Sequence, residues 1–195
     1  RPLVSARTPS VPDPYPENAV PAPILAVTDP RSPTQNYILE LLYAAGLPCA
    51  VPCGSGELPG HVLSPDTVLL LCDPAIGTSA SEAVADFIRA GGRAVALQPP
   101  PSLVGVFGAK LSTSGSGNGF VRVNPGPAGF GGLPDDPVQY FGMVSCLSAP
   151  DEQAGADLLE DDRYSYGARA VAVGNGGRTV AFGYDLIGTV LTLRF

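Results

Sequence analysis

Histidine and lysine are almost missing from this sequence. His61 and Lys110 are the sole examples of each, and tryptophan does not occur. One histidine leaves no basis for a His-rich metal centre. Cys49 and Cys53 have C-x3-C spacing, but no second close pair follows, so no metal is expected. Basic residues number 11 against 18 acidic ones, which removes nucleic acid and anionic membranes from the expected partners. No apolar run approaches the roughly 20 residues of a membrane helix, so no membrane insertion is expected. There is no initiator methionine and no signal peptide, which reads as a processed form or an excised fragment. No N-x-[ST] sequon occurs, so N-glycosylation lends secretion no support.

Glycine (24) and proline (22) are instead abundant, more so than in an ordinary globular domain. Residues 1–23 hold seven prolines and little apolar periodicity. Such a segment favours extended polyproline II and forbids helix. It reads as an arm or linker, able to dock on neighbouring domains or on copies of the same chain. Residues 24–195 read as one α/β domain, with a glycine-rich insertion over 109–136 and a closing hairpin and terminal segment over 165–195. Four cysteines, Cys49, Cys53, Cys72 and Cys146, permit three full pairings. At least one disulfide is expected, in an extracellular or cell-surface setting. The simplest is Cys49–Cys53, if a turn brings the Cα atoms within about 4.4–6.8 Å. If that segment is a straight strand, Cys53–Cys72 is the better pair.

Residues 64–99 carry the clearest pattern. Val68–Leu71 is an apolar run suited to a strand covered on both faces. Ser79 and Glu82 fit a capping box, with Ala83, Val84, Phe87 and Ile88 on one helical face. Gly91-Gly92 stops that helix, and Ala94–Leu97 is the next strand. Upstream, Ile24–Thr28 predicts a strand, Ser32-Pro33 opens a helix stopped by Gly46, and residues 48–52 form a short strand. Downstream, residues 120–123 and 140–147 read as strands, and 157–162 as an acidic loop or helix end. Residues 169–173 and 178–182 flank Gly174-Asn175-Gly176-Gly177, a strong hairpin signal. Residues 186–195 start a helix that stops without a C-terminal cap, which suggests that a longer protein continues there.

These segments resemble a known family. The order ILAVTD, a helix ending AAG, a short strand, DTVLLLCD, SEAVADFIRAGG and AVALQP resembles the class I glutamine amidotransferase-like superfamily. Its trehalose-utilisation-type branch and the middle domain of some β-galactosidases are the nearest in pattern. The later VGNGGRTVAFGYDL is similar to the hairpin that closes such domains, often in polysaccharide-related or cell-surface proteins. The resemblance covers about residues 24–108 and 165–190. It implies a flavodoxin-like three-layer sandwich with a mostly parallel sheet and a β-rich C-terminal extension. Active members carry a nucleophilic cysteine in a tight, Gly-flanked turn after the strand equivalent to Ala94–Leu97, with His and Glu later. Here the turn is Gln98-Pro99-Pro100-Pro101, and no histidine follows it. The resemblance therefore implies a member without catalytic residues or cofactor.

Other chemistry centres on the carboxyl edge of the sheet, where open α/β sheets bind ligands. Asp29 and Asp73 end two strands there, and Arg31 and Gln98 complete a candidate ligand site. A receiver-domain reading fails because Pro30 stands where a second acid is needed. A flavin phosphate loop at Ser32–Asn36 lacks the glycine for close approach. The bland account of both aspartates is an Asx-turn before proline, with Arg31 paired to one of them. Tyr164 and Tyr166 offer faces to a sugar, or simply pack a loop. The expected function is a non-catalytic scaffold or assembly domain of a secreted or cell-surface multidomain protein. The alternatives are a carbohydrate-binding module and, more weakly, a hydrolase with an acidic site.

Overall fold

The computed structural model describes residues 24–61, 63–125, 132–161 and 165–194. The proline-rich arm, Tyr164 and the side chain of Tyr166 lie outside the described residues.

Strand β1 (Ile24–Thr28) leads to helix α1 (Pro33–Ala44). Ser32 caps that helix, its hydroxyl accepting the Gln35 N–H at 3.4 Å, and Pro33 sits in the first turn. Strand β2 is Ala50–Gly54 and β3 is Val68–Leu71. Helix α2 (Thr78–Arg89) begins before the expected Ser79 cap: Gly77 takes the cap position and supplies no side chain. Strand β4 is Arg93–Leu97, followed by the short α3 (Pro101–Val104). Then come β5 (Lys110–Val123), β6 (Val138–Ser148), β7 (Ala154–Leu159), β8 (Ser165–Gly174), β9 (Thr179–Phe182) and α4 (Leu186–Arg194).

All nine strands among the described residues join one sheet, in the order β2-β1-β3-β4-β9-β8-β6-β5-β7. Strands β1 to β4 and β9 pair in parallel. Everything from β5 to β8 pairs antiparallel, and so does β8 with β9. Strand β7 pairs with both β5 and β8, and β6 with both β5 and β8, so these four close into a small barrel. Closure leaves β2 as the one open edge among the described strands. Pro52 lies within β2 and removes a donor from that edge.

This architecture corrects the expected flavodoxin-like three-layer sandwich with a mostly parallel sheet. Strands β5, β6, β7 and β8 run 14, 11, 6 and 10 residues, whereas each parallel strand has only 4 or 5. The molecule is mostly β, and antiparallel pairing dominates it. The physical reason lies in the glycine-rich segment. An insertion with one short strand was expected there. Instead residues 110–123 run as the long β5, hydrogen-bonded along β6 almost throughout, while 126–131 lie outside the described residues. Of residues 157–162, expected as an acidic loop or helix end, 157–159 belong to β7.

Three clusters form the core. Leu69 and Leu71 face α2 and α3, with Val84, Ile88, Leu103 and Phe107. Their alternates Leu70 and Cys72 face Ile38 of α1 and Ile187 of α4. Burial of both faces explains the unbroken apolar run of β3. The barrel encloses its own cluster around Val121, Tyr140, Leu158 and Val171. Arg169 of β8 stands opposite Asp157 of β7 and bonds to it, and also to Asp151 and the Ala149 carbonyl. Those carboxylates raise the Arg169 pKa further, the hydrogen bond to Asp157 foremost.

Candidate functional site

Two aspartates leave the carboxyl ends of β1 and β3 with one shared local structure. Each precedes a proline, and each closes an Asx-turn: Asp29 Oδ1 accepts the Arg31 N–H at 2.9 Å, and Asp73 Oδ1 the Ala75 N–H at 2.9 Å. The Arg31 guanidinium turns back onto Asp29, with Nε 3.1 Å from Oδ1. The hydrogen bonds from Arg31, side chain first and then backbone, hold the Asp29 carboxyl below its ordinary pKa. The same bond raises the arginine, with Asp73 adding a smaller push. Asp29, Arg31 and Asp73 line one open cavity of about 430 Å³, together with Gly54 and Glu57. Three of the four residues expected at the ligand edge are thus brought together.

Gln98 stands apart from them, in a second cavity of about 180 Å³ with Ser32, Thr34, Cys72 and Asp185. Its φ is +55°, a left-handed conformation that side-chain-bearing residues rarely adopt. A strained strand-to-helix turn is how hydrolase folds expose a nucleophile. Here an amide occupies it. Gln98 Nε2 donates to the Met143 carbonyl at 3.0 Å, and the Asp185 N–H donates to the same oxygen at 3.1 Å. Asp185 also caps α4, its Oδ1 accepting the Gly188 N–H at 2.8 Å. Asp185 is absent from the expected site. An aspartate just before an apolar helical run was its available signal.

All four cysteines are free. The Cys49–Cys53 bridge is not formed: Cys49 lies in the turn just before β2, and the strand from Ala50 to Cys53 alone spans about 10 Å at ~3.3 Å per residue. Cys53–Cys72 fails differently. β1 lies between their strands, and the two thiols enter core clusters on opposite faces of the sheet. Burial, helped by the Asp73 charge, pushes the Cys72 thiol up to about 12. Burial, then the Glu57 charge, raises Cys53 as well. Where β2 ends, Cys53, Glu57 and His61 each offer a ligand atom, all within 4.8 Å of one another. His61 therefore sits beside the edge strand, three strands from Gln98, or roughly 14 Å at ~4.8 Å per strand.

No family model and no curated protein matches the sequence. Solved structures do match. A cold-adapted β-galactosidase from Rahnella sp. R3 superposes with a TM-score of 0.61 and 17% identity, over 89% of this chain and 31% of that one. A Thermoplasma acidophilum protein assigned to GMP synthase, as one of its subunits, gives 0.54 and 15%, over 88% and 95%. PurLQS from Thermotoga maritima gives 0.58 and 12%, over 88% and 98%. The chain thus spans about a third of the β-galactosidase chain and nearly all of the matched chain in the other two structures. At these identities the likeness is one of fold, shared with β-galactosidase domains and glutamine amidotransferase subunits.

Proposed function

We propose that this chain is a non-catalytic assembly domain of a larger protein, built on an enzyme-type fold. The observation that carries this reading is Gln98 in the strained turn at the end of β4. A carboxamide is no nucleophile, and its amide is committed to the Met143 carbonyl. The chain's one histidine lies at the far edge of the sheet, so no histidine base stands beside the turn. The span of about a third of a β-galactosidase also fits a module within a longer protein.

The surface for assembly is the groove beside β2. Leu39, Tyr43, Leu47, Pro48 and Pro52 line about 320 Å³ there, and Tyr43 is 73% exposed. Aromatic and proline-lined grooves receive polyproline II segments. The occupant we assign is the proline-rich arm, residues 1–23, of a neighbouring copy. Sedimentation of the full chain and of a chain lacking residues 1–22, with melting temperatures for both, tests this. The reading predicts that deletion, or Tyr43→Ala, reduces the assembly at unchanged melting temperature. A monomer in every case contradicts it.

A carbohydrate-binding reading is favoured by one observation, the polar cavity where Asp29, Arg31, Glu57 and Asp73 present charged groups. A glycan array with wild type and Asp73→Ala tests it: loss of a binding signal in the variant supports it, and no wild-type signal refutes it.

A further inference from the structure

The turn that follows β2 is held from both sides. The Glu57 N–H donates to the Gly54 carbonyl at 2.9 Å, and a single 3-10 turn spans Leu58–Gly60. The Gly60 N–H then donates to Glu57 at 3.0 Å and the His61 N–H to Leu58 at 3.0 Å. Leu58 is buried in the core beneath the turn, and so is Cys53 on the strand before it. Because both anchors enter one cluster, the chain doubles back over the sulfur. Cys53 is buried, while Glu57 and His61 are exposed, so sulfur forms the floor and the other two the rim.

We propose that Cys53, Glu57 and His61 bind one divalent metal ion of the zinc class, with a fourth position open to water. The donor set argues for that class. Thiolate and imidazole suit zinc and its transition-metal neighbours, whereas calcium and magnesium require more oxygen ligands. The distances are compatible. Tetrahedral zinc, with bonds of about 2.0–2.3 Å, places its ligand atoms roughly 3.4–3.7 Å apart. The three atoms already lie within 4.8 Å. A closure of about 1 Å falls on the two exposed side chains; Glu57 Oε2 accepts the Gly54 N–H at 3.1 Å, which anchors that carboxylate beside Cys53 and leaves its other oxygen for the ion. On binding, the Cys53 S–H bond breaks, the sulfur–metal bond forms, and the proton passes to solvent. The ion ties the turn to the open edge strand, and Glu57 carries its effect to the Asp29–Asp73 cavity that it also lines.

This inference departs from the expectation of no metal, which weighed cysteine pairs and histidine clusters. C-x3-E-x3-H crosses a strand end and a turn, and its convergence depends on the fold. It does not rest on the proposed assembly role.

The test is titration of the full chain with cobalt(II) and zinc(II). One equivalent of cobalt should give a thiolate-to-cobalt charge-transfer band that zinc displaces. Cys53→Ser should abolish the band, and Cys49→Ser should leave it unchanged. His61→Ala and Glu57→Gln, both at exposed positions, should weaken zinc binding at least tenfold while leaving circular dichroism and the metal-free melting temperature unchanged. Zinc at a hundredfold excess over its Kd should raise the wild-type melting temperature by about 5–10 °C. Absence of the band, its survival in folded Cys53→Ser, equal zinc affinity in His61→Ala, or binding only at millimolar metal would each overturn the proposal.

Discussion

Replacing Arg169 by methionine removes the cation that sits between β7 and β8. The side chain of Arg169 is 20% exposed and that of Asp157 15%, so the pair is largely withdrawn from water. Losing one partner of a buried pair costs about 3–5 kcal/mol, because the other charge stays desolvated. Asp157 keeps some solvent contact, which places the expected loss near the lower end, about 3 kcal/mol. For a chain of 195 residues that corresponds to a melting temperature about 6–12 °C lower. Asp151 also meets Arg169, but its side chain is 95% exposed. Asp151→Ala should therefore cost no more than about 1 kcal/mol. The double variant Arg169→Met/Asp157→Leu removes both charges and should return to within about 1 kcal/mol of wild type. Urea unfolding followed by circular dichroism measures all three. A loss below 1 kcal/mol in Arg169→Met, or equal damage from Asp151→Ala, would refute the claim that this pair stabilises the β7–β8 side of the barrel.

Three other outcomes follow from the packing and the thiols. Gly183→Ala should cost about 3 kcal/mol or prevent folding, because its Cβ would lie 2.2 Å from the Ser145 carbonyl oxygen, while Gly56→Ala, which meets nothing within 4 Å, should be neutral in the same unfolding assay. Cys72 and Tyr184 are pushed up to about 12 from 9.0 and 10.0, mainly by burial, so their contribution to stability is full below the unfolded values and is lost as pH rises towards 12. Melting temperature should fall over pH 9–12, and Tyr184→Phe should flatten the part above pH 10; an identical slope in the variant would count against it. Mass spectrometry without reduction should find four free thiols, with Cys49 and Cys146 alkylated faster than the buried Cys53 and Cys72; any native bridge would contradict this.

The first half of the chain was legible because its signals are local. The apolar run at Val68–Leu71, the Ser32-Pro33 cap and the Gly91-Gly92 stop each specify an element within a few residues, and the structure has all three elements. The glycine-turn hairpin was legible for the same reason: Asn175, Gly176 and Gly177 have φ of 51°, 66° and 86°. The barrel was not. Strand β5 contains Ser-Thr-Ser-Gly-Ser-Gly-Asn-Gly, which has no β-branched alternation to announce it, and only pairing with distant β6 makes it a strand. The site divides likewise. Asp29 and Asp73 were visible as strand-end acids. Asp185 and the Cys53–Glu57–His61 cluster become sites only once the sheet order is known. Gln98 was visible as a missing nucleophile, but its left-handed backbone was not.

That backbone leads to the most direct test of the account. The intact chain is incubated with a glutamine-analogue electrophile, and its mass is measured without digestion. A turn filled by Gln98 predicts an unmodified mass at concentrations that label amidotransferases stoichiometrically. One covalent adduct per chain on a single cysteine, accompanied by ammonia release from glutamine, would contradict it.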